Sequence, residues 1–460
     1  MSPGLVFAAM LPEHLLLSGL VALLILEIVS DEPRGELAVS LVAVGLAGLA
    51  AAWIASQGRT LEPFPGQFVV TPVIAWAKAA VLLLAIPVLL ISREDFERGP
   101  FYPLLLSSLY GVLLIASSGS FLTLFLGIEI MSIPVYVLVL LAYRRPESAE
   151  AALKYLVLSG TASASLLMGA SLLFGSTGSL SITAFAAALG SDAILARTAV
   201  VMVIAALFVK AAIVPFHGWA PDAYEASSIP VTAYMATLVK AGVLLAALRL
   251  FGEATVDPAH AALLALLPVV SIAWGNLAAM RQPNLRRMIA YSSIAHAGYL
   301  FLAFLGDGAG RFEAVLFYLA AYGVMNILAF AALPSDKDDV ARDSLETLKG
   351  LFHRNPFAAI VIGIAMLSLA GIPPFPGFIG KFLIFKNVLA AGWTTVAVIG
   401  LVGSYLGIYF YLRVVQYMFM SPSAFHGPSP GRALAVGASV FCLALSLAIA
   451  LAPAWFLARF

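Results

Sequence analysis

Two short stretches decide how this sequence folds: Ala211-Ala-Ile-Val-Pro-Phe-His-Gly-Trp219 and Ala370-Gly-Ile-Pro-Pro-Phe-Pro-Gly-Phe378. Five of their nine positions are identical, and both lie inside long apolar runs. A proline within a helix removes an N–H donor and clashes with the carbonyl one turn back, so each stretch breaks its helix. In a bilayer, the carbonyls freed by such a break are tolerated only where protein or a water-filled cavity satisfies them. Paired spans interrupted by Gly and Pro are the sequence mark of a transporter built from repeated halves, with its site near the midplane.

The composition around these stretches requires lipid as the solvent. The chain has 460 residues, 62% hydrophobic and only 11% charged, with a mean hydropathy of +1.01; a soluble domain carries roughly 25% charge. Soluble catalysis is therefore excluded. Apolar runs passing the ~20-residue span test read as about fourteen transmembrane helices, among them 68–91, 196–220, 356–389 and 433–457. The apolar N-terminus lacks a basic leader and Glu13 and His14 come early, so it reads as a retained first helix. The single Cys442 and six scattered histidines give no cluster, haem or zinc spacing, so no cofactor is expected in this chain. A net charge of +1 gives no argument for nucleic acid.

Basic residues set the expected topology. Arg34, Arg93, Arg98, Arg144, Arg145, Arg281, Arg286, Arg287, Lys337, Arg342, Lys349, Arg354 and Arg432 fall in one set of alternate loops, against Arg59, Arg197 and Arg311 in the other. The first set is expected in the cytoplasm, with both termini outside. The longest connection, Ser335 to Asn355, mixes Asp336, Asp338, Asp339, Asp343 and Glu346 with basic residues and reads as a solvated loop or a docking surface. The breaks fall in spans seven and twelve. A separation of five spans turns the second unit upside down relative to the first. The expected organisation is an N-terminal three-helix segment (1–100), a five-helix unit (101–252), a second, inverted five-helix unit (253–420) and a C-terminal helix (421–460).

Eight basic residues fall inside spans or at their ends: Lys78, Lys154, Lys210, Lys240, Arg249, Lys381, Lys386 and Arg413. A charge at mid-membrane costs about 2.5–3.5 kcal/mol on insertion scales, so each needs a partner, water or neutralisation. Arg249, Lys386 and Arg413 read as snorkelling to the headgroups, and Lys78 and Lys154 as divided between snorkelling and function. Glu129 is read as the deepest acid. It is the expected partner of Lys210, which lies five residues before Pro215. A buried lysine whose acid approaches and retreats switches its proton affinity. Lys240 would be the next carrier and Lys381 the last, with His296 in Tyr291-Ser-Ser-Ile-Ala-His-Ala-Gly-Tyr299 relaying between them. Asp222 and Glu225 read as helix-start acids or as an entrance.

The run from Lys210 to Ala233, the 291–299 stretch and Gly371-Ile-Pro-Pro-Phe-Pro-Gly-Phe-Ile-Gly-Lys-Phe382 together resemble the antiporter-like membrane subunits of respiratory complex I and of Mrp-type cation/proton antiporters. The resemblance covers residues 100 to 420. It implies an all-α polytopic fold of about fourteen helices with two inverted five-helix repeats containing broken helices. It also implies proton translocation coupled to quinone reduction elsewhere in a complex, with Glu129, Lys210, Lys240 and Lys381 at the family's functional positions. NADH, FMN, iron–sulfur clusters and quinone would then belong to partner subunits. The partners would be the other membrane subunits, protons and the lipid of a bacterial inner membrane. Within complex I, Lys381 argues against the M branch and the chain's end after span fourteen against the L branch. The alternative is an Mrp-type antiporter subunit. Pro376 and the acidic loop around Asp338 depart from the family's pattern.

Overall fold

A computed structural model describes residues 3–29, 35–93, 95–96, 99–142, 145–306, 308–333, 344–422 and 432–459. Arg34, Arg98, Arg144, Asp336, Lys337, Asp338, Asp339, Arg342 and Asp343 lie outside the described residues. The chain opens with α1 (Pro3–Ala9), α2 (Leu11–Val29) and α3 (Glu36–Ser56). An antiparallel hairpin of β1 (Leu61–Phe64) and β2 (Phe68–Val70) leads to α4 (Pro72–Ser92). Next come α5 (Phe101–Ser117), α6 (Phe121–Leu140), α7 (Glu147–Thr177), the short α8 (Ile182–Ala188), α9 (Ile194–Ala211) and α10 (Trp219–Ala226). Helix α11 (Ile229–Tyr234), a π-helical turn (Met235–Val239) and α12 (Lys240–Phe251) form one rod. After α13 (Pro258–Met280), α14 (Leu285–Leu302), α15 (Gly308–Ala331) and α16 (Leu351–Arg354) come α17 (Pro356–Ala370), α18 (Pro376–Ala390), α19 (Thr394–Met420), α20 (Ala433–Leu451) and α21 (Pro453–Leu457).

Twelve helices among the described residues are long and apolar enough to cross a membrane. The shorter α5 and the broken pair α17 and α18 bring the passes to fourteen. Four of the expected spans change: that at 196–220 divides at 212–218 between α9 and α10, and three others change as follows. The span expected at 68–91 starts at Pro72, because Phe68–Val70 pairs with β1 and Thr71 caps the helix by accepting from Ile74 N at 3.2 Å. The span expected at 433–457 stops at Leu451, just ahead of Pro453. The span expected at 356–389 divides at 371–375.

The repeat seen in the sequence is a repeat of backbone geometry. Ala212 (φ 61°) and Gly371 (φ 81°) take the left-handed conformation at matched positions. At the first break Ala212 N donates to Val209 O (3.2 Å) and Ile213 N to Phe208 O (2.9 Å). At the second, Gly371 N donates to Ser368 O (3.0 Å) and Ile372 N to Leu367 O (3.1 Å). Both are Schellman stops, which use the carbonyls that an ending helix leaves open. The following Val214–Pro215 and Pro373–Pro374 peptide bonds are both cis. Pro376 begins α18, where its missing N–H costs nothing, so its departure from the family's pattern is a helix start.

Arginine side chains fasten helix ends by donating to open C-terminal carbonyls, an arrangement that the helix dipole also favours. Arg249 donates to Ser118 O (2.7 Å), Arg413 to Met280 O and Gln282 O (2.7 Å each), and Arg311 to Gly252 O (2.9 Å) and Gly306 O (3.0 Å). Arg249 and Arg413 are therefore fasteners, not snorkelling chains. Arg311 and Arg286, counted above as loop charges, are fully buried. These contacts define two faces. The hairpin, Ser118, Gly252 and the C-terminal Arg459, which lies over the Trp76 ring at 5.5 Å, share one face. Arg145, Arg287, the 281–284 turn and residues 344–355 share the other, where Leu345 N donates to Pro283 O at 2.8 Å.

Candidate functional site

The first break places Lys210 in the last turn of α9, in a seat made of hydroxyls. Its Nζ donates to Ser159 Oγ (2.6 Å) and Ser132 Oγ (3.3 Å), and lies 3.7 Å from Glu129 Oε1. Ser163 donates to the same carboxylate oxygen, and Tyr136 OH donates to Ser159 Oγ at 2.6 Å. Tyr155, Ser159 and Ser163 recur every four residues on the buried face of α7, so one helix stripe supplies both hydroxyls. Trp219, at the start of α10, takes the freed Val209 carbonyl through Nε1 (2.9 Å) and stacks on Tyr155 at 4.1 Å.

Lys240 follows directly after the π-helical turn, a local widening that is frequent at functional sites. Its Nζ donates to Ser293 O (2.6 Å) and to Ser293 Oγ, and lies over the Tyr322 ring at 5.6 Å. One turn along α14 from Ser293 stands His296, fully buried, with both ring nitrogens engaged: Nδ1 with Tyr318 OH (2.5 Å) and Nε2 with Tyr411 OH (3.0 Å). Tyr411 OH also meets Ser292 Oγ. The Tyr322 ring, with its centroid 4.9 Å from that of His296, stands between the histidine and Lys240.

Lys381, on α18, reaches back across the second break. It donates to Leu369 O (3.0 Å), Ala370 O (3.1 Å) and Ser404 Oγ (3.0 Å), and lies over the Tyr299 ring at 5.2 Å. Tyr299 also packs edge-on to His296, with ring centroids 5.7 Å apart. Gly377 and Gly380 lie within helix α18 and mark close packing: a Cβ would fall 1.9 Å from Ser368 O at the first and 2.2 Å from Tyr318 Cδ2 at the second.

Glu129 and Lys210 are thus brought into ion-pair range, and His296 stands between Lys240 and Lys381 through tyrosine rings. Among the described residues no hydrogen bond joins Lys210 directly to Lys240, and neither Lys240 nor Lys381 has a carboxylate partner. The holding residues Ser132, Ser159, Ser163, Tyr318 and Tyr411 escaped the sequence reading. Only the four-residue stripe on α7 could have signalled any of them. Lys78 is not a snorkelling lysine but is buried against Glu13 at 2.5 Å. Glu13 (0% exposed) and Glu36 (4%) are therefore enclosed acids too, more so than Glu129, whose side chain keeps 23%. Lys154 is half exposed and pairs with Glu150 and Asp222, both at 2.7 Å; Asp222 and Glu225 also hold Arg287 at 2.9 and 2.8 Å. They are the centre of a surface ion network; Asp222 stands in the first turn of α10 as a helix-start acid, but Glu225 falls in its last turn and is not one.

Two broken-helix units carrying enclosed lysines define a class: the antiporter-like subunits of membrane complexes. The family described as "NADH:quinone oxidoreductase/Mrp antiporter, TM" matches residues 118–407. NADH-quinone oxidoreductase subunit N of Pelobacter propionicus is 40% identical, over 90% of this chain and 89% of that protein. A chain of respiratory complex I from Thermus thermophilus with bound aureothin superposes with a TM-score of 0.84 at 36% identity, covering 97% and 98% of the two chains. A chain of the Mrp complex from Dietzia superposes at 0.85 with 23% identity over 98% and 96%, a likeness of fold alone. The chain belongs to the NADH-quinone oxidoreductase subunit N family.

Proposed function

We propose that this chain translocates protons as a membrane subunit of a bacterial NADH:quinone oxidoreductase. Glu129, Lys210, Lys240, His296 and Lys381 form its relay. NADH, FMN, iron–sulfur clusters and quinone belong to partner subunits, and the work they release reaches this chain as movement of charge or helices. Orientation follows the basic loops: the face with Arg145, Arg287 and residues 344–355 is cytoplasmic, and both termini lie outside. The domain reading is a first unit over 101–252 and an inverted unit over 253–420.

The observation that carries the relay is the Glu129–Lys210 contact of 3.7 Å, one residue before a helix break. An ammonium held by hydroxyls keeps its position when the carboxylate withdraws, so the electrostatics can change without dismantling the seat. Lys240 and Lys381 have polar seats of the same kind but, among the described residues, no acid. The Mrp alternative shares the fold, while the relatives named subunit N share far more of the sequence. The test is to replace Lys210 or Lys240 with Ala, verify assembly, and measure proton pumping coupled to NADH oxidation in membrane vesicles. The expected result is oxidation with little pumping. Normal pumping in both variants overturns the relay.

A further inference from the structure

Among the described residues no hydrogen bond runs from Lys210 to Lys240, yet the half-helix α10, which follows the first break, touches the seats of both. At its start Trp219 donates to the carbonyl of Val209, the residue before Lys210, at 2.9 Å. The same indole stacks on Tyr155 at 4.1 Å, and Tyr155 meets the Tyr136 ring edge-on at 4.9 Å. Tyr136 in turn donates to Ser159 Oγ, the oxygen that receives Lys210. Helix α10 therefore rests on the Lys210 seat through an unbroken run of contacts.

Further along the same helix, Tyr224 reaches the other lysine. Its buried hydroxyl meets Ser293 Oγ at 3.3 Å, and that oxygen also receives the Lys240 ammonium. On either side of Tyr224 in the chain, Asp222 and Glu225 hold Arg287 of α14, the helix that carries Ser293. One short, rigid element is thus fastened to the helix that seats Lys240 and leans at its start on the seat of Lys210.

We propose that α10 couples the two lysines, with Tyr224 as the positioning residue that acts on Lys240 through Ser293. This rests on the relay reading. Parting of the Glu129–Lys210 pair shifts the Lys210 seat, Trp219 carries the shift into α10, and Tyr224 moves against Ser293. A serine hydroxyl has one proton to give and lone pairs to receive with. While Tyr224 accepts the Ser293 proton, the lone pairs of Ser293 Oγ face Lys240 and suit an ammonium. With Tyr224 drawn away, Ser293 turns that proton toward Lys240 and suits a neutral amine. The turn itself adds and removes no proton; it makes the lysine ready to give one up.

The test uses the assembled complex in membrane vesicles and reads protons pumped per NADH oxidised. Tyr224→Phe should assemble, oxidise NADH and fall in pumping to the level of Ser293→Ala. A ring that merely packs predicts wild-type pumping, because phenylalanine keeps the ring. Added to Ser293→Ala, Tyr224→Phe should cost nothing more. Trp219→Phe keeps a ring on Tyr155 but drops the bond to Val209 O; it should lower pumping in part and add nothing to Tyr224→Phe, whereas independent sites give losses that add. Normal pumping in Tyr224→Phe, or additive losses, with Lys240→Ala defective, overturns the coupling alone. Should Tyr224→Phe fail to assemble, Trp219→Phe combined with Ser293→Ala decides: a loss no greater than that of Ser293→Ala supports the coupling, and additive losses overturn it. Normal pumping in Lys240→Ala overturns the relay beneath it.

Discussion

Glu129→Gln isolates the charge of the switch from its geometry. The amide keeps the volume of the carboxyl and can still accept from Ser163, while Lys210 keeps its bonds to Ser159 and Ser132. What disappears is the attraction across 3.7 Å. With an effective dielectric constant of 20 this is about 4–5 kcal/mol. Each ~1.4 kcal/mol is a factor of ten, so the carboxylate commands up to roughly three powers of ten in how strongly the lysine holds its proton. If that difference is what drives transfer to Lys240, the variant should assemble, oxidise NADH and lose at least about tenfold in pumping. Glu129→Asp, which keeps the charge but draws it back by one methylene, should fall between. The assay is the decay of an internal pH dye signal in inside-out vesicles during NADH oxidation. An assembled Glu129→Gln complex with the wild-type pumping yield would refute the argument, since a packing acid can be neutralised without effect on the protons.

Three further outcomes follow from particular contacts. Tyr411→Phe leaves His296 Nε2 without its 3.0 Å partner, a loss of about 1–2 kcal/mol that should slow pumping roughly tenfold without blocking assembly; an unchanged rate would make His296 a packing residue. Glu346→Cys puts a thiol on an exposed side chain beside the 281–284 turn, while the native Cys442 is buried, so a membrane-impermeant reagent should label inside-out vesicles and spare intact cells; the reverse would invert the topology. Asp257 caps α13 by accepting from His260 N at 2.8 Å, and this bond holds its carboxyl below the usual range. A depressed folded value stabilises above the ordinary Asp pKa of about 3.9 and is lost as pH falls through the folded value. Asp257→Ala should therefore cost about 1 kcal/mol at neutral pH, read as a lower unfolding midpoint in detergent, and the gap should close on acidification below about pH 4.

The two breaks were legible because proline acts on the backbone whatever surrounds it, and a repeated Pro-Phe-x-Gly pattern survives in one sequence. The enclosed lysines were legible because a charge in an apolar run stands out. Their seats were not: Ser159, Ser293 and Tyr411 in a hydrophobic helix look like ordinary packing until three helices converge. The buried Glu13–Lys78 pair was missed because its members are 65 residues apart and the span of Glu13 begins at an interface, where an acid is unremarked. The second hairpin strand, Phe68–Val70, was absorbed into a span because a short apolar strand is also an apolar run. Arg286 and Arg311 were counted as charges between spans, yet each lies in the first turn of a spanning helix, α14 and α15, and is buried, because the open carbonyls of a neighbouring helix end offer it a better partner than water.

The two units hold their lysines by different means, and this can be tested at one atom. In the first unit a carboxylate faces the ammonium. In the second, among the described residues, Lys381 donates to the Leu369 and Ala370 carbonyls and to Ser404, lies over the Tyr299 ring, and meets no carboxylate. Those carbonyls end α17, where the helix dipole amounts to roughly half a negative charge, so the helix end replaces the acid. Gly371 lies against this seat: a Cβ there would come 2.9 Å from Lys381 Cδ and 3.2 Å from Nζ. Its counterpart Ala212 already carries a side chain in the same left-handed conformation, so the backbone accepts alanine at a cost of about 1–2 kcal/mol. Gly371→Ala should therefore fold and assemble while pushing the lysine off its carbonyls, and pumping should fall to the level of Lys381→Ala. Ala212→Gly, which removes a Cβ at the matched position, should pump normally. If Gly371→Ala pumps as well as wild type, the helix end is not what holds the charge, and the second unit must stabilise its proton through the Ser404 and Tyr299 side instead.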